Sequence, residues 1–325
     1  MAIGMGSPLV YIIIVNWNGL KDTIECLGSL ERLEYPNFEV VLVDNGSTDG
    51  SAPLIKAKYP NLFVILNRNN VGYGKANNLG IEYALRNGAN YVWLLNNDAI
   101  SDPGALSTMV RVAEEDPKIG ILGSKIYYAN DPGRIWFAGA GIDWPRGLSS
   151  HIGINETDRG QYDTLRRVER VAGCSMLVRR EVCEQVGLFD ENYFLFVEEI
   201  DWCVRARKQG FSCVLVPSSI VYHKGSVSVS KIGHWSSVYN YYNTRNFLYL
   251  VRRSFSFPKR DFFLLLLIGR KILRERVDIL RVLLYKIAGR KKITASEFPV
   301  LFGIRDFLFD RMGEADYSFR SDHEK

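Results

Sequence analysis

Phe38-Glu39-Val40-Val41-Leu42-Val43 runs without a break into Asp44-Asn45-Gly46-Ser47-Thr48-Asp49-Gly50. The first six residues are β-branched, aromatic and apolar with one exception, the composition of a strand, and the next seven are turn formers. In an open α/β sheet, ligands gather outside the carboxyl ends of such strands. Upstream, Leu9–Val15 (LVYIIIV) is apolar throughout, as in a strand covered on both faces. Between the two, Ile24, Leu27, Leu30 and Leu33 recur at helical spacing within Leu20–Leu33. Downstream, Leu54–Tyr59 predicts a helix, Leu62–Leu66 a strand, Gly72–Arg86 a helix and Tyr91–Leu95 (YVWLL) a fourth strand. Strands separated by helices give right-handed crossovers and a mostly parallel central sheet flanked by helices, an α/β fold.

The alternation loosens after Asp98. Pro103–Glu115 reads as a helix, Ile119–Trp136 and Val168–Val178 as further strands around a glycine-rich polar middle, Gly139 to Asp163. Glu199–Lys208 is helical, Ser212–Val216 and Ser219–Tyr222 are strands, and from Trp235 onward the chain is helical and amphipathic.

The 325 residues suffice for about two domains, and 47% hydrophobic with 24% charged residues excludes a disordered or fibrous chain. The net charge of +5 is unevenly spread: Arg245 to Lys292 holds fourteen basic and three acidic residues. A mildly acidic body with a strongly basic C-terminal segment suits a partner with an anionic surface. The five cysteines are scattered and form no C-x-x-C pair, which favours a reducing cytoplasm over a disulfide framework. Met1–Val10 lacks the basic start of a signal peptide. The longest wholly apolar run, Phe262–Ile268, would rise only ~10 Å as a helix against ~30 Å of hydrocarbon, so no segment spans a membrane unaided.

Several chemistries are excluded by motif. No P-loop and no G-x-S-x-G elbow occurs, and Gly72-Tyr73-Gly74 is followed by Asn77 where a dinucleotide fingerprint needs its third glycine. Four stretches remain. Asp44 can accept a bond from a ribose or base, or simply shape its turn while Asp49 caps the next helix. Asn67–Gly80 opens a helix with amides and small residues, which suits a nucleotide near a helix N-terminus as well as a plain polar helix start. Asp98, closing Asn96-Asn97-Asp98 at a strand end, can hold a divalent cation with diphosphate oxygens, or make a turn. Glu198-Glu199 follows the aromatic-apolar run Tyr193–Val197. These acids can complement a helix dipole, or one can work as a base with a raised pKa.

Together the pieces resemble the family 2 glycosyltransferases, and most closely a rhamnosyltransferase-like branch that builds cell-surface polysaccharides. The resemblance is carried, in order over roughly residues 8–250, by Ile14–Asn18, Val43–Ser51, Asn67–Gly80, Trp93–Asp98, Gly173–Arg180, Phe194–Arg205, His223-Lys224 and Tyr241–Asn246. It implies the GT-A fold: a catalytic domain over 1–234, with nucleotide-sugar binding at 8–100 and the acceptor and catalytic part at 101–234. A helical, membrane-associating extension covers 235–325. It implies nucleotide contacts at Asn16, Asn18, Asp44, Gly72, Asn77 and Asn97. Mg²⁺ or Mn²⁺ would sit at Asp98, Asn96 and His223, although a lone histidine is also an ordinary structural residue. Glu199 would be the general base with Glu198 as alternative, and Lys224, Arg245 and Trp202 would contact the diphosphate or acceptor. The implied reaction is inverting transfer of a sugar, with dTDP-rhamnose one candidate donor, to a glycan or polyprenyl-linked acceptor. Two other readings stand beside it. A sugar nucleotidyltransferase would need a Gly-rich basic loop where Asn16-Trp17-Asn18-Gly19 stands, and a non-catalytic glycan-binding scaffold would tolerate the weakly charged Asn96-Asn97-Asp98.

In the basic segment Leu273, Val277, Leu280, Leu284 and Ile287 repeat at helical spacing, with Arg270, Arg274 and Arg281 elsewhere on the helix. They form either a helix packed on the body or an in-plane helix on an anionic membrane, with Phe262–Ile268 dipping into the acyl boundary. The second reading makes the protein peripheral on the cytoplasmic face. Nucleic acid is not expected, since no nucleic-acid module is present.

Overall fold

The computed structural model describes residues 6–225, 235–287 and 294–315. It divides into a sheet unit, residues 1–141, 150–190 and 199–227, and a helical unit, residues 142–149, 191–198 and 228–325. The division expected at 234/235 falls outside the described residues, as do the basic residues 290–292. Two short segments, 142–149 and 191–198, belong with the helices rather than with the sheet.

The sheet unit begins β1 (Val10–Asn16), α1 (Leu20–Leu30), β2 (Phe38–Asp44), α2 (Ser51–Lys58), β3 (Phe63–Leu66), α3 (Tyr73–Arg86) and β4 (Tyr91–Leu95). It continues with β5 (Ala99–Ser101), α4 (Ala105–Glu115), β6 (Ile119–Tyr128) and β7 (Asp131–Phe137). Then come β8 (Ala140–Asp143), β9 (Leu148–His151), β10 (Arg166–Val168), β11 (Ser175–Arg179), α5 (Arg180–Val186), α6 (Glu198–Lys208) and β12 (Ser212–His223). The main sheet has the order β10-β12-β6-β11-β4-β1-β2-β3, with β5 on β12 and β7 on β6, while β8 and β9 form a separate pair. Its β4-β1-β2-β3 half is wholly parallel, as the alternation predicts. The other half is mixed, because β11 runs antiparallel to both β4 and β6.

Burial explains the unbroken apolar strands. On β1, Ile12 and Ile14 face a core that includes Cys26 and Leu27 of α1, and Met109 of α4. Tyr11 and Ile13 face a second core with Ala76 and Ile81 of α3, and Trp202 of α6. With side chains alternating across the sheet, both faces need apolar residues, and the 2-residue period disappears into a continuous run. Gly80 lets α3 lie close on β1: a Cβ there would stand 2.4 Å from Ile13 Cγ2. The two strands expected at Ser212–Val216 and Ser219–Tyr222 are one strand, with its register shifted between Val216 and Ile220. Pro217, which has no N–H for the ladder, lies in that irregularity.

The polar middle is tied down by charge. Lys125, only 1% exposed on β6, is ion-paired with Asp158 and with Asp163 (2.7 Å). A buried ammonium is tolerable only with such partners.

The helical unit contains α7 (Trp235–Ser254), α8 (Lys259–Arg274), α9 (Arg276–Ile287) and α10 (Pro299–Leu308). α7 and α10 pack closely: Gly303 faces the Tyr241 carbonyl, and Tyr241 Oη donates to Asp306 Oδ2 (2.8 Å). No helix among the described residues is long and apolar enough to cross a membrane.

Candidate active site

The parallel register puts Asn16 beside Asp44 at the carboxyl ends of β1 and β2. Asn16 is fully buried. Its Nδ2 donates to Asp44 Oδ1 and Ser51 Oγ (2.7 Å each), and its Oδ1 accepts from Thr23 Oγ1 (2.8 Å) and Gly19 N (3.2 Å). Every lone pair and hydrogen of that amide is engaged within the protein, so Asn16 ties the first turn of the site together. Asp44 Oδ2 accepts from Ser47 N (3.1 Å), which fixes the carboxylate at the turn. Asn18 has a left-handed φ of +51°, a region that asparagine tolerates, and its Oδ1 accepts from Thr48 N (2.7 Å).

The Asp44 turn is stitched to the loop before α3. Asn45 donates to Asn70 Oδ1 (2.8 Å) and accepts from Asn67 Nδ2 (3.1 Å) and Val71 N (3.0 Å). Gly46, at φ +76°, passes so near that a Cβ would stand 2.5 Å from the Asn69 carbonyl carbon. Gly72 N donates to Asn70 Oδ1 (2.9 Å), which places the Gly72 turn in the same network. Asn77 is 1% exposed and donates to Tyr73 O (3.0 Å), a bond within its own helix. Asn97 is buried and donates to Thr23 Oγ1 (3.0 Å). In the protein alone each amide also braces its own loop or helix.

Register also decides what faces Asp98. β5 runs antiparallel to the end of β12 and pairs Ala99 with His223. The residue before Ala99 thus meets His223: Asp98 Oδ1 lies 3.1 Å from His223 Nε2, both side chains being buried. Asn96 Oδ1 accepts from Tyr73 Oη (3.2 Å). Among the described residues no three His, Cys, Asp or Glu side chains gather as a metal cage. Trp136 stands edge-on to both His223 (4.6 Å) and His151 (4.5 Å). Burial, helped by the Arg170 charge, pushes His151 down to about 4, so this imidazole is neutral near pH 7.

Tyr73 links the metal motif to the acids, for its hydroxyl also lies 2.9 Å from Gly173 O. Gly173 abuts Glu199, whose Cβ would be 3.5 Å from a Cβ at that glycine. Glu199 Oε1 is 3.6 Å from Nη1 of the buried Arg170. Glu198 precedes it, nearly buried. Trp136, His151, Arg170 and Tyr73 carry no spacing signal, because only tertiary folding gathers them here.

The three residues expected at the diphosphate or acceptor each have partners within the protein. Lys224 is ion-paired with Asp22 (2.8 Å) and Glu25 of α1. Trp202 is fully buried, its Nε1 donating to Gly187 O (2.7 Å) and its ring packed on Phe189. Arg245 is fully buried inside the helical unit, donating to Gly313 O (2.8 Å) and Asn246 Oδ1 (3.0 Å). A wholly enclosed guanidinium with these acceptors anchors the end of the helical unit.

A parallel half-sheet with Asp44 and Asp98 at its carboxyl ends and an acid-bearing helix beside it is the layout of a GT-A glycosyltransferase. Solved structures share this fold. The mannosyltransferase PcManGT from Pyrobaculum calidifontis, in complex with GDP-Man and Mn²⁺, aligns with a TM-score of 0.52 at 15% identity, over 94% of this chain and 88% of that one. GalNAc-T7 with UDP, GalNAc and Mn²⁺ gives 0.55 at 18% identity, over 66% of this chain and 43% of that one. The chain belongs to glycosyl transferase family 2, whose profile matches residues 11–187. It is 32% identical over 230 residues to the N-acetylglucosaminyl-diphospho-decaprenol L-rhamnosyltransferase of Mycobacterium tuberculosis, covering 63% of this chain and 72% of the relative. It is 27% identical to the dTDP-rhamnosyl transferase RfbF of Shigella flexneri, covering 75% and 80%. The chain is thus a rhamnosyltransferase-like glycosyltransferase, and sugar transfer is favoured over the scaffold and nucleotidyltransferase readings.

Proposed function

We propose that the chain transfers a deoxyhexose, of the dTDP-rhamnose kind, to a polyprenyl-linked glycan at the cytoplasmic face of a membrane, inverting the anomeric carbon. The observation that carries the catalytic part is the convergence of Asp98–His223 and Arg170–Glu199 about the Tyr73–Gly173 link. The relatives named for rhamnosyl transfer and for a decaprenol-linked acceptor support the donor and acceptor classes.

Asp98 and His223 fit a divalent ion such as Mn²⁺ or Mg²⁺. A buried carboxylate oxygen and imidazole nitrogen 3.1 Å apart are a donor pair that would hold such an ion together with diphosphate oxygens. When bound, such an ion supplies positive charge against the departing diphosphate. Asp44 and Asn18, on the tied turns, receive the nucleoside. Glu199 accepts the acceptor hydroxyl's proton as that oxygen bonds to the anomeric carbon. The bond from that carbon to the diphosphate oxygen breaks on the opposite face, and its electron pair leaves with the nucleoside diphosphate. Arg170 Nη1, 3.6 Å from Glu199 Oε1, holds that carboxylate in place. No enzymic nucleophile takes part, so one displacement inverts the configuration.

The helical unit supports the membrane part. Phe262, Leu265 and Leu273 of α8 are 62%, 75% and 66% exposed, and Val277, Leu280, Leu284 and Ile287 of α9 are 57%, 57%, 53% and 83% exposed. Their spacings of three, four and eight make one stripe per helix, flanked by exposed Arg270, Arg274, Arg276 and Arg281. Leu267 is buried, so only part of the Phe262–Ile268 run faces outward. The five free, buried cysteines suit a reducing cytoplasm. Incubating the protein with dTDP-rhamnose, UDP-sugars and GDP-mannose and a polyprenyl-diphosphate-linked acceptor tests the proposal. Transfer from dTDP-rhamnose alone is expected, and transfer only from another donor would refute that part.

A further inference from the structure

Phe196 and Val197, just ahead of α6, have φ of +66° and +76°. Left-handed backbone is uncommon for any residue but glycine and an outlier for a β-branched one, and it persists only where the surroundings over-determine it. The surroundings are on α7. Asn246 is fully buried, and its Nδ2 donates to Leu195 O (2.9 Å) and Phe196 O (2.8 Å). Arg245 Nε donates to Asn246 Oδ1 (3.0 Å). That bond decides which end of the amide meets the loop, since the flipped amide would set its oxygen against two carbonyls. Arg245 is itself held by Gly313 O (2.8 Å) and lies over the rings of Tyr241 and Tyr242 at 5.4 and 4.9 Å. The same loop is gripped further back, where Gly313 N donates to Asn192 O (2.8 Å) and Phe194 stacks on Tyr242. The residues that follow the strained turn are Glu198 and Glu199.

We propose that Asn246, oriented by Arg245, is a positioning residue for catalysis: it holds the Phe196–Val197 turn left-handed and so sets where α6 begins and where Glu199 points. The inference rests on the reading of Glu199 as the base. Relaxing either φ to a negative value would redirect the chain at the residue joining the turn to the acids. It assigns the buried Arg245 a purpose that its charge alone does not reveal.

The test measures kcat and donor KM for Asn246→Asp, Asn246→Ser and Glu199→Gln, with thermal unfolding of each. The aspartate has the shape of asparagine but opposes two carbonyl oxygens with a carboxylate, while the serine keeps one shorter donor. Displacing a reacting group by about 1 Å costs about 10²-fold, so Asn246→Asp should lower kcat by about that factor with donor KM nearly unchanged, and Asn246→Ser by less. If Asn246→Asp does not fold, Asn246→Ser decides. An unchanged kcat in a folded Asn246 variant, or a kcat loss matched by equal weakening of donor binding, overturns the clamp. Full activity in Glu199→Gln removes the base reading instead; loss in Glu199→Gln with unaffected Asn246 variants removes the clamp alone.

Discussion

Replacing Leu273, Leu280 and Leu284 together by Gln should release the protein from anionic vesicles without unfolding it. These side chains are 66%, 57% and 53% exposed, so more than half of each is available to an acyl boundary. Full burial of a leucine is worth roughly 1.5–3 kcal/mol, so each contributes about 1–2 kcal/mol and the three about 3–5 kcal/mol. At 1.4 kcal/mol per decade, binding should weaken by about 10²- to 4 × 10³-fold. Because the residues are already exposed, each substitution should alter folding by no more than about 0.5 kcal/mol. The assay is co-sedimentation with phosphatidylglycerol-containing vesicles beside a thermal melt. Added salt should also weaken binding of the unaltered protein, since the flanking arginines are screened beyond about 8 Å at physiological ionic strength. Unchanged sedimentation of the triple variant, with an unchanged melt, would refute the surface-helix account. Cutting the chain after Phe257 would be a poorer test, because it removes α10 and leaves Tyr241 without Asp306.

Three further outcomes are expected. Asp98→Asn should abolish Mn²⁺-dependent turnover and weaken Mn²⁺ binding measured by calorimetry, with His223→Ala milder; unaltered Mn²⁺ binding in both would return the pair to a structural role. Gly46→Ala should destabilise the protein by roughly 2–3 kcal/mol and raise donor KM, because the left-handed φ and the Asn69 backbone both exclude a Cβ, and an unchanged melt would contradict this. Stability should fall as pH drops from 6.5 toward about 4, because unfolded His151 gains a proton there while the folded, desolvated imidazole does not. The loss should reach ~2–3 kcal/mol, and His151→Gln should flatten that part of the metal-free stability profile.

The strands that build the donor half were legible because burial on both faces leaves a continuous apolar run, and the turns after them because Asn, Asp and Gly cluster there. The acids were legible as types at strand and helix ends. What each polar residue touches was not. The amides of Asn16 and Asn97 also hold the loops together, which only the β1–β2 and β4–β5 connections reveal, and that of Asn77 bonds back within α3. Asp98 and His223 are far apart in sequence and meet through the β5–β12 register. Nothing in the sequence around Arg245 reveals that its guanidinium is enclosed by Gly313 O and Asn246 Oδ1. The mixed half of the sheet escaped the alternation rule because β11 enters between β4 and β6 from the opposite direction.

The central claim is that Glu199 takes the acceptor proton, and the most direct measurement is the transfer rate of Glu199→Gln beside Glu198→Gln, with nucleotide-sugar binding measured on both. Glutamine keeps the shape and removes the basic oxygen. The account predicts a loss of about 10²–10⁴ in rate for Glu199→Gln with donor affinity nearly unchanged, the span usual for a lost general base. A large rate loss in Glu198→Gln with none in Glu199→Gln would contradict it and move the base one residue back.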